Sequence, residues 1–191
     1  MRWVQHWCIG RDIKGHNASL VFKLGTILPD WFEISTPHKI ETTFDMVLHR
    51  IMQVSKMTRG YKRDFLLGTI VHYIADYCCY AHLEGNYLDC IHHRQYETKS
   101  QRLYLKQNKY NYILSMNNMY HEYTKHTDLY TVEDFIRYYK DKLIRRKRVN
   151  DIAWFNNVDV MKEDTFLAYN MLYGVLLLLG EFSVTNSEVF A

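Results

Sequence analysis

The chain has 191 residues, 48% of them apolar and 24% charged, with a formal net charge of +3. That length buries one sizeable core and is short for two domains, and the composition excludes a disordered or fibrous class. The modest charge argues neither for nor against a nucleic-acid partner.

With only two prolines and eight glycines, long helices are easily accommodated. Residues from His16 to about Thr26 are periodic, and Leu20, Val21, Leu24 and Ile27 share a helix face. Pro29-Asp30-Trp31 ends or bends that segment, because the residue before a proline avoids the α region. After a second break at Ser35-Thr36-Pro37-His38, an amphipathic helix runs from about Ile40 to Val54, with Phe44, Val47, Leu48 and Ile51 inward. Gly60 marks a turn, and a helix apolar on every side follows from about Lys62 to Tyr80. Beyond Gly85-Asn86, a helix from about Leu88 into the 100s carries His93 and Glu97. Gln107 to Asp128 is polar and weakly periodic. Thr131-Val132-Glu133-Asp134 opens the next helix in the manner of a capping box, with Phe135, Tyr138, Tyr139 and Leu143 on one side. Arg145 to Arg148 reads as a solvated, cation-rich helix end. A last helix from about Lys162 to Leu179 stops at Gly180. Strand alternation persists nowhere, so the expected fold is all-α, a single-domain helical bundle over residues 1–191.

The opening Met1 to Arg11 lacks the apolar run of a signal peptide, and Met171 to Leu179 is too short to span a bilayer. Cys8, Cys78, Cys79 and Cys90 lack zinc-type spacing and read as small buried hydrophobes. A reduced, cytoplasmic chain is expected.

The chemistry concentrates in the central helix. His72, Asp76 and His82 interrupt an otherwise apolar run, and His72 and Asp76 share one face at a spacing of four. Buried imidazoles and carboxylates are costly unless hydrogen-bonded, charge-paired or metal-bound. His93 and Glu97 repeat the spacing. A polynuclear metal site inside a helical protein explains both, and its candidate ligands are His16, Asp30, His38, His72, Asp76, His82, His93 and Glu97. His6 rivals His16, and His49 rivals His38. His16 is favoured as the residue opening the helix toward Pro29-Asp30, and His38 for its place at a helix start after proline. Trp31 and Tyr73 either line a cleft or pack.

The order of these residues resembles the zinc-dependent phospholipase C family. Leu67 to His82 is similar to that family's central helix, with its H-x3-D-x5-H spacing. Leu24-Gly-Thr-Ile-Leu-Pro-Asp-Trp31 resembles its Gly-x-x-x-Pro-Asp element, and His92-His-Arg-Gln-Tyr-Glu97 its His-x-x-Tyr-Glu element. The likeness covers roughly residues 16 to 100. It implies a helical phosphodiesterase-type hydrolase holding two to three zinc ions. His38, His72 and Asp76 would hold one ion, and His82, His93 and Glu97 a second. His16 would contribute to a third, with Asp76 bridging, and Asp30 would be a ligand or the catalytic base. Extracellular members complete the third site with an N-terminal tryptophan, where this chain reads Met1-Arg2-Trp3. The implied substrate is a phospholipid or another phosphodiester, with peripheral membrane contact. Two rival readings stand beside this one. One is a nuclease or nucleotidase on the same core, with Tyr87, Tyr96 and Tyr104 as stacking platforms in the nuclease case. The other is a non-catalytic metal-stabilised protein.

Overall fold

Residues 2–15, 18–32, 38–83, 90–106, 131–146 and 156–181 are described in the structure, a computed structural model. Among them the chain forms eight α-helices and one 3-10 turn and no strand: α1 (Trp3–Lys14), α2 (Leu20–Gly25), α3 (Pro29–Phe32), α4 (Ile40–Ser55), α5 (Tyr61–Cys78), the turn Tyr80–His82, α6 (Cys90–Lys106), α7 (Val132–Arg146) and α8 (Val158–Leu178). The fold is all-α. The polar stretch Gln107 to Asp128 lies outside the described residues.

One helix, α1, precedes the first that the sequence pattern places. Gln5, His6, Cys8, Ile9, Gly10 and Ile13 are the buried face of α1. Two polar residues and a glycine interrupt that stripe, so its apolar period is weak although its three- and four-residue spacing is helical. The break falls at Gly15, and Ser19 then caps α2 by accepting from the Phe22 amide at 3.1 Å.

Helix α5 is the axis of the molecule, packed by α1, α2, α4 and α8. From Leu67 to Cys78 every residue is buried, as expected of a helix apolar on all sides. The closest approach is between α2 and α5. A Cβ on Gly68 would lie 2.2 Å from the Phe22 carbonyl oxygen, and one on Gly25 would lie 2.4 Å from that of Phe65. Only two glycines let these backbones touch. The contact turns α2 so that Phe22 and Gly25 are buried while Leu20 and Leu24 face outward. Of the expected shared face of Leu20, Val21, Leu24 and Ile27, only Ile27 is buried, and Phe22 takes the inward place on α2. Leucine spacing alone does not reveal that a glycine seam outweighs it.

Helix α7 begins as its sequence predicts, with Thr131 Oγ1 accepting from the Asp134 amide at 3.1 Å. Its Phe135, Tyr139 and Leu143 point inward, whereas Tyr138 is exposed. Helix α8 ends at Gly180, with φ +72°. The Gly180 and Glu181 amides donate to Leu177 and Leu176, the paired bonds of a Schellman motif. That turn carries Glu181 onto Lys14 of α1 and Arg63 of α5. Cys8, Cys78 and Cys79 are buried, and burial pushes the Cys78 and Cys79 thiols up. Among the described residues, no helix is long and apolar enough to cross a membrane.

Candidate metal centre

Asp76, in the last turn of α5, has a fully buried side chain, and four imidazoles from four parts of the chain surround it. His6 Nε2 (α1) lies 3.2 Å from Oδ1. On Oδ2, His38 Nδ1 lies at 3.0 Å, His72 Nε2 at 3.4 Å and His82 Nδ1 at 3.8 Å. Asp30 of α3 approaches from the more open side, with Oδ1 3.6 Å from His72 Nε2 and 3.7 Å from His38 Nδ1. The glycine seam sets this register. It brings the Thr26 carbonyl within 3.0 Å of His72 Nδ1, which must donate because a carbonyl only accepts. That bond orients the ring and aims Nε2 at the carboxylates. Tyr73 does not line a cleft. It is buried with its ring edge-on to His38, at a centroid distance of 5.0 Å.

A second cluster adjoins the first through His82. His82 Nε2 and His93 Nε2 each lie 3.2 Å from Glu97 Oε1. His93 and Glu97 meet because they are four apart on α6. His82 reaches them because α5 breaks at Cys79, whose extended ψ of 117° starts the 3-10 turn.

The charge environment favours the deprotonated form at His72, His82, Asp76 and Glu97, whereas His38, against the opposing effect of burial, is raised by its hydrogen bond to Asp76. Burial and the neighbouring His6 hold the His72 imidazole well below its ordinary range, and burial also lowers His82. Asp76 is held well below the usual carboxylate range: burial opposes this, but His82, His6 and His72 prevail. Glu97 is also lowered against the opposing effect of burial, and the hydrogen bonds of His82 and His93 contribute to that shift. Burial raises Asp30. A neutral His72 with its Nδ1 proton committed to Thr26 presents a lone pair to Asp30 and Asp76. Lone pairs converging on lone pairs call for a cation between them. Tetrahedral zinc, with bonds of about 2.0–2.1 Å, holds two ligand atoms about 3.3 Å apart. The separations of 3.2–3.6 Å in the first cluster and 3.2 Å in the second lie close to that value. Two donor groups therefore fit zinc, one of His6, Asp30, His72 and Asp76 and one of His82, His93 and Glu97. His38 borders the first, 2.9 Å from His72 Nε2.

Seven of the eight residues expected as ligands thus fall in these two adjoining clusters, around Asp76 and around Glu97. The eighth, His16, lies outside the described residues, and the structure places its rival His6 against Asp76. The signal for His6 was its position three residues before Ile9 and seven before Ile13, on the stripe that faces α5. His49 is exposed on α4, and His92 is exposed on α6. Tyr96 and Tyr104 are fully buried, so neither serves as a stacking platform, and Tyr87 lies outside the described residues.

Histidines and carboxylates that converge on a shared buried carboxylate define a class, the all-α proteins with buried groups of metal-ligating side chains. The family model described as zinc dependent phospholipase C matches residues 9–155, most of the chain. The chain belongs to the zinc-dependent phospholipase C family. No curated protein and no solved structure gives a significant match.

Proposed function

We propose that residues 1–191 form one helical domain and that the protein is a zinc-dependent phosphoric-ester hydrolase acting on a phospholipid. The observation that carries the reading is Asp76, buried yet faced by four imidazoles, where a carboxylate can serve two cations at once. His6, His72 and Asp76 would hold one zinc with His38 beside them and Asp30 at the open side, and His82, His93 and Glu97 another. When bound, zinc lowers the pKa of a water and neutralises charge growing on the phosphoryl oxygens. The chain's own residues supply the rest. Asp30 is 28% exposed, against 15% for Glu97 and 0% for Asp76. It is the carboxylate that water reaches most easily, and burial raises its basicity. Asp30 takes the proton of the attacking water. The water oxygen bonds to phosphorus as the P–O bond to the leaving alkoxide breaks, and the proton that Asp30 has taken passes to that alkoxide, restoring the carboxylate.

A lipid substrate is supported by the rim. Trp31 and Phe32 follow Asp30 directly and are 59% and 79% exposed, an apolar lip suited to peripheral contact with a membrane. The burial of Tyr96 and Tyr104 weighs against the nuclease reading. Buried, unbridged Cys8, Cys78 and Cys79 accord with a reduced, cytoplasmic setting.

The test compares phosphatidylcholine vesicles with single-stranded DNA, with chelator and after zinc is restored. Release of a phosphorylated headgroup that stops with chelator and returns with zinc is expected. Asp30→Asn lowers that rate by about 10²–10⁴-fold, the usual worth of a general base. Cleavage of DNA alone, or of neither substrate by fully metallated protein, contradicts the proposal.

A further inference from the structure

Of the basic run Arg145 to Arg148, read from its composition as a solvated helix end, Arg145 is exposed, and Lys147 and Arg148 lie outside the described residues. Arg146 turns inward. Its guanidinium lies 2.8 Å from Asp164 Oδ1 on α8, donates to the Cys78 carbonyl at 3.0 Å and stacks over the Tyr80 ring at 5.3 Å. Asp164 is fully buried. Its other oxygen accepts from the Tyr80 amide at 3.0 Å and from the Tyr96 hydroxyl at 2.6 Å.

These partners have one thing in common. Cys78 is two residues after Asp76, and Tyr80 is two before His82. Tyr96 is three after His93 and one before Glu97. A single ion pair therefore grips the end of α5, the first amide past the helix break and the middle of α6. The break at Cys79 leaves a buried amide at Tyr80 that an uninterrupted helix would have satisfied, and Asp164 accepts it. The turn that swings His82 toward Glu97 is stable because that amide has a partner. Tyr96 fixes the rotation and height of α6 against the same oxygen.

Building on the proposed zinc chemistry, we infer that the Asp164–Arg146 pair, with Tyr96, is a positioning device that holds His82, His93 and Glu97 in ligating register. Asp164 lies beyond the residues that the family model matches. Metal ligands depend on the groups that orient them, and losing such a group typically weakens affinity about 10–100-fold. The effect falls on one cluster, because His6, Asp30 and His72 are held by other contacts.

The test titrates zinc against a competing chelator in the wild type, Tyr96→Phe, Asp164→Asn, His93→Ala and His72→Ala, with folding followed by circular dichroism. His93→Ala and His72→Ala identify which affinity belongs to which cluster. Tyr96→Phe removes one hydroxyl and keeps the ring, so it remains folded even where Asp164→Asn does not. It is expected to weaken the His93 affinity about 10–100-fold and to leave the His72 affinity within about twofold. Unchanged affinity at both clusters overturns the inference, and so does equal weakening of both, the sign of a general packing role. If His93→Ala itself leaves zinc binding unaltered, the zinc proposal fails and takes this inference with it. If His93→Ala acts and Tyr96→Phe does not, only the positioning role falls.

Discussion

Replacing Gly68 with alanine sets two effects of opposite sign against each other. Helix propensity favours the change, since alanine in a helix interior is about 1 kcal/mol better than glycine. The seam opposes it. The new Cβ would sit 2.2 Å from the Phe22 oxygen and 2.8 Å from Gly25 Cα, where ordinary contact begins at 3.4 Å. Restoring contact requires α2 and α5 to part by about 1.2 Å, and overpacking of this kind costs about 1–3 kcal/mol. Thr26 adjoins Gly25, so its carbonyl moves too. The 3.0 Å bond from His72 Nδ1 then opens to roughly 4 Å and is lost, leaving a buried donor unsatisfied at about 1–3 kcal/mol. The net expectation is a loss of about 3 kcal/mol, or on the order of 6–12 °C in Tm for a chain of this size. Thermal unfolding in chelator isolates the packing cost. A zinc titration reads the second consequence, an affinity about 10–100-fold weaker at the His72 cluster. A variant as stable as the wild type or more so, with unaltered zinc affinity, would refute the seam as the element that aims His72.

Two further outcomes follow. Glu181 is buried at the α8 terminus with its carboxyl lowered; burial opposes that shift, but the hydrogen bonds of Lys14 and Arg63 prevail. A depressed folded pKa contributes stability that is present above the unfolded value and fades as pH falls through the folded one. Glu181→Gln therefore costs about 1–3 kcal/mol at pH 7, and the difference from wild type shrinks toward pH 3; parallel Tm curves across that range would count against the linkage. Replacing Trp31 and Phe32 together with serine is expected to weaken sedimentation with phosphatidylcholine vesicles at least about tenfold, since each aromatic contributes on the order of 1 kcal/mol when inserted. Undiminished binding would remove the lip from the proposal.

How much of this was legible depended on whether the signal was local. His72 and Asp76, and His93 and Glu97, announce themselves because spacing of four puts each pair on one helix face. His38 was marked by the proline before it. His6 was harder to see, for the burying stripe of α1 is built partly from Gln5, His6 and Gly10, which carry little hydropathy. The helix expected from His16 instead begins at Leu20, because Gly15 and the Ser19 cap place a break there. The outward turn of Leu20 and Leu24 follows from the Gly25–Gly68 contact, a pairing across 43 positions that periodicity within one segment does not encode. The same holds for Arg146. Only the fold brings it to Asp164, so its sequence neighbours make it look like surface.

The central claim is that the side chains around Asp76 and Glu97 bind cations. Mass-spectrometric metal quantification of untagged wild type and Asp76→Asn tests it most directly. About two zinc ions per chain are expected in the wild type, one for each donor group, and fewer in Asp76→Asn. A wild type that stays metal-free after zinc loading, or an Asp76→Asn protein with undiminished zinc, would contradict it.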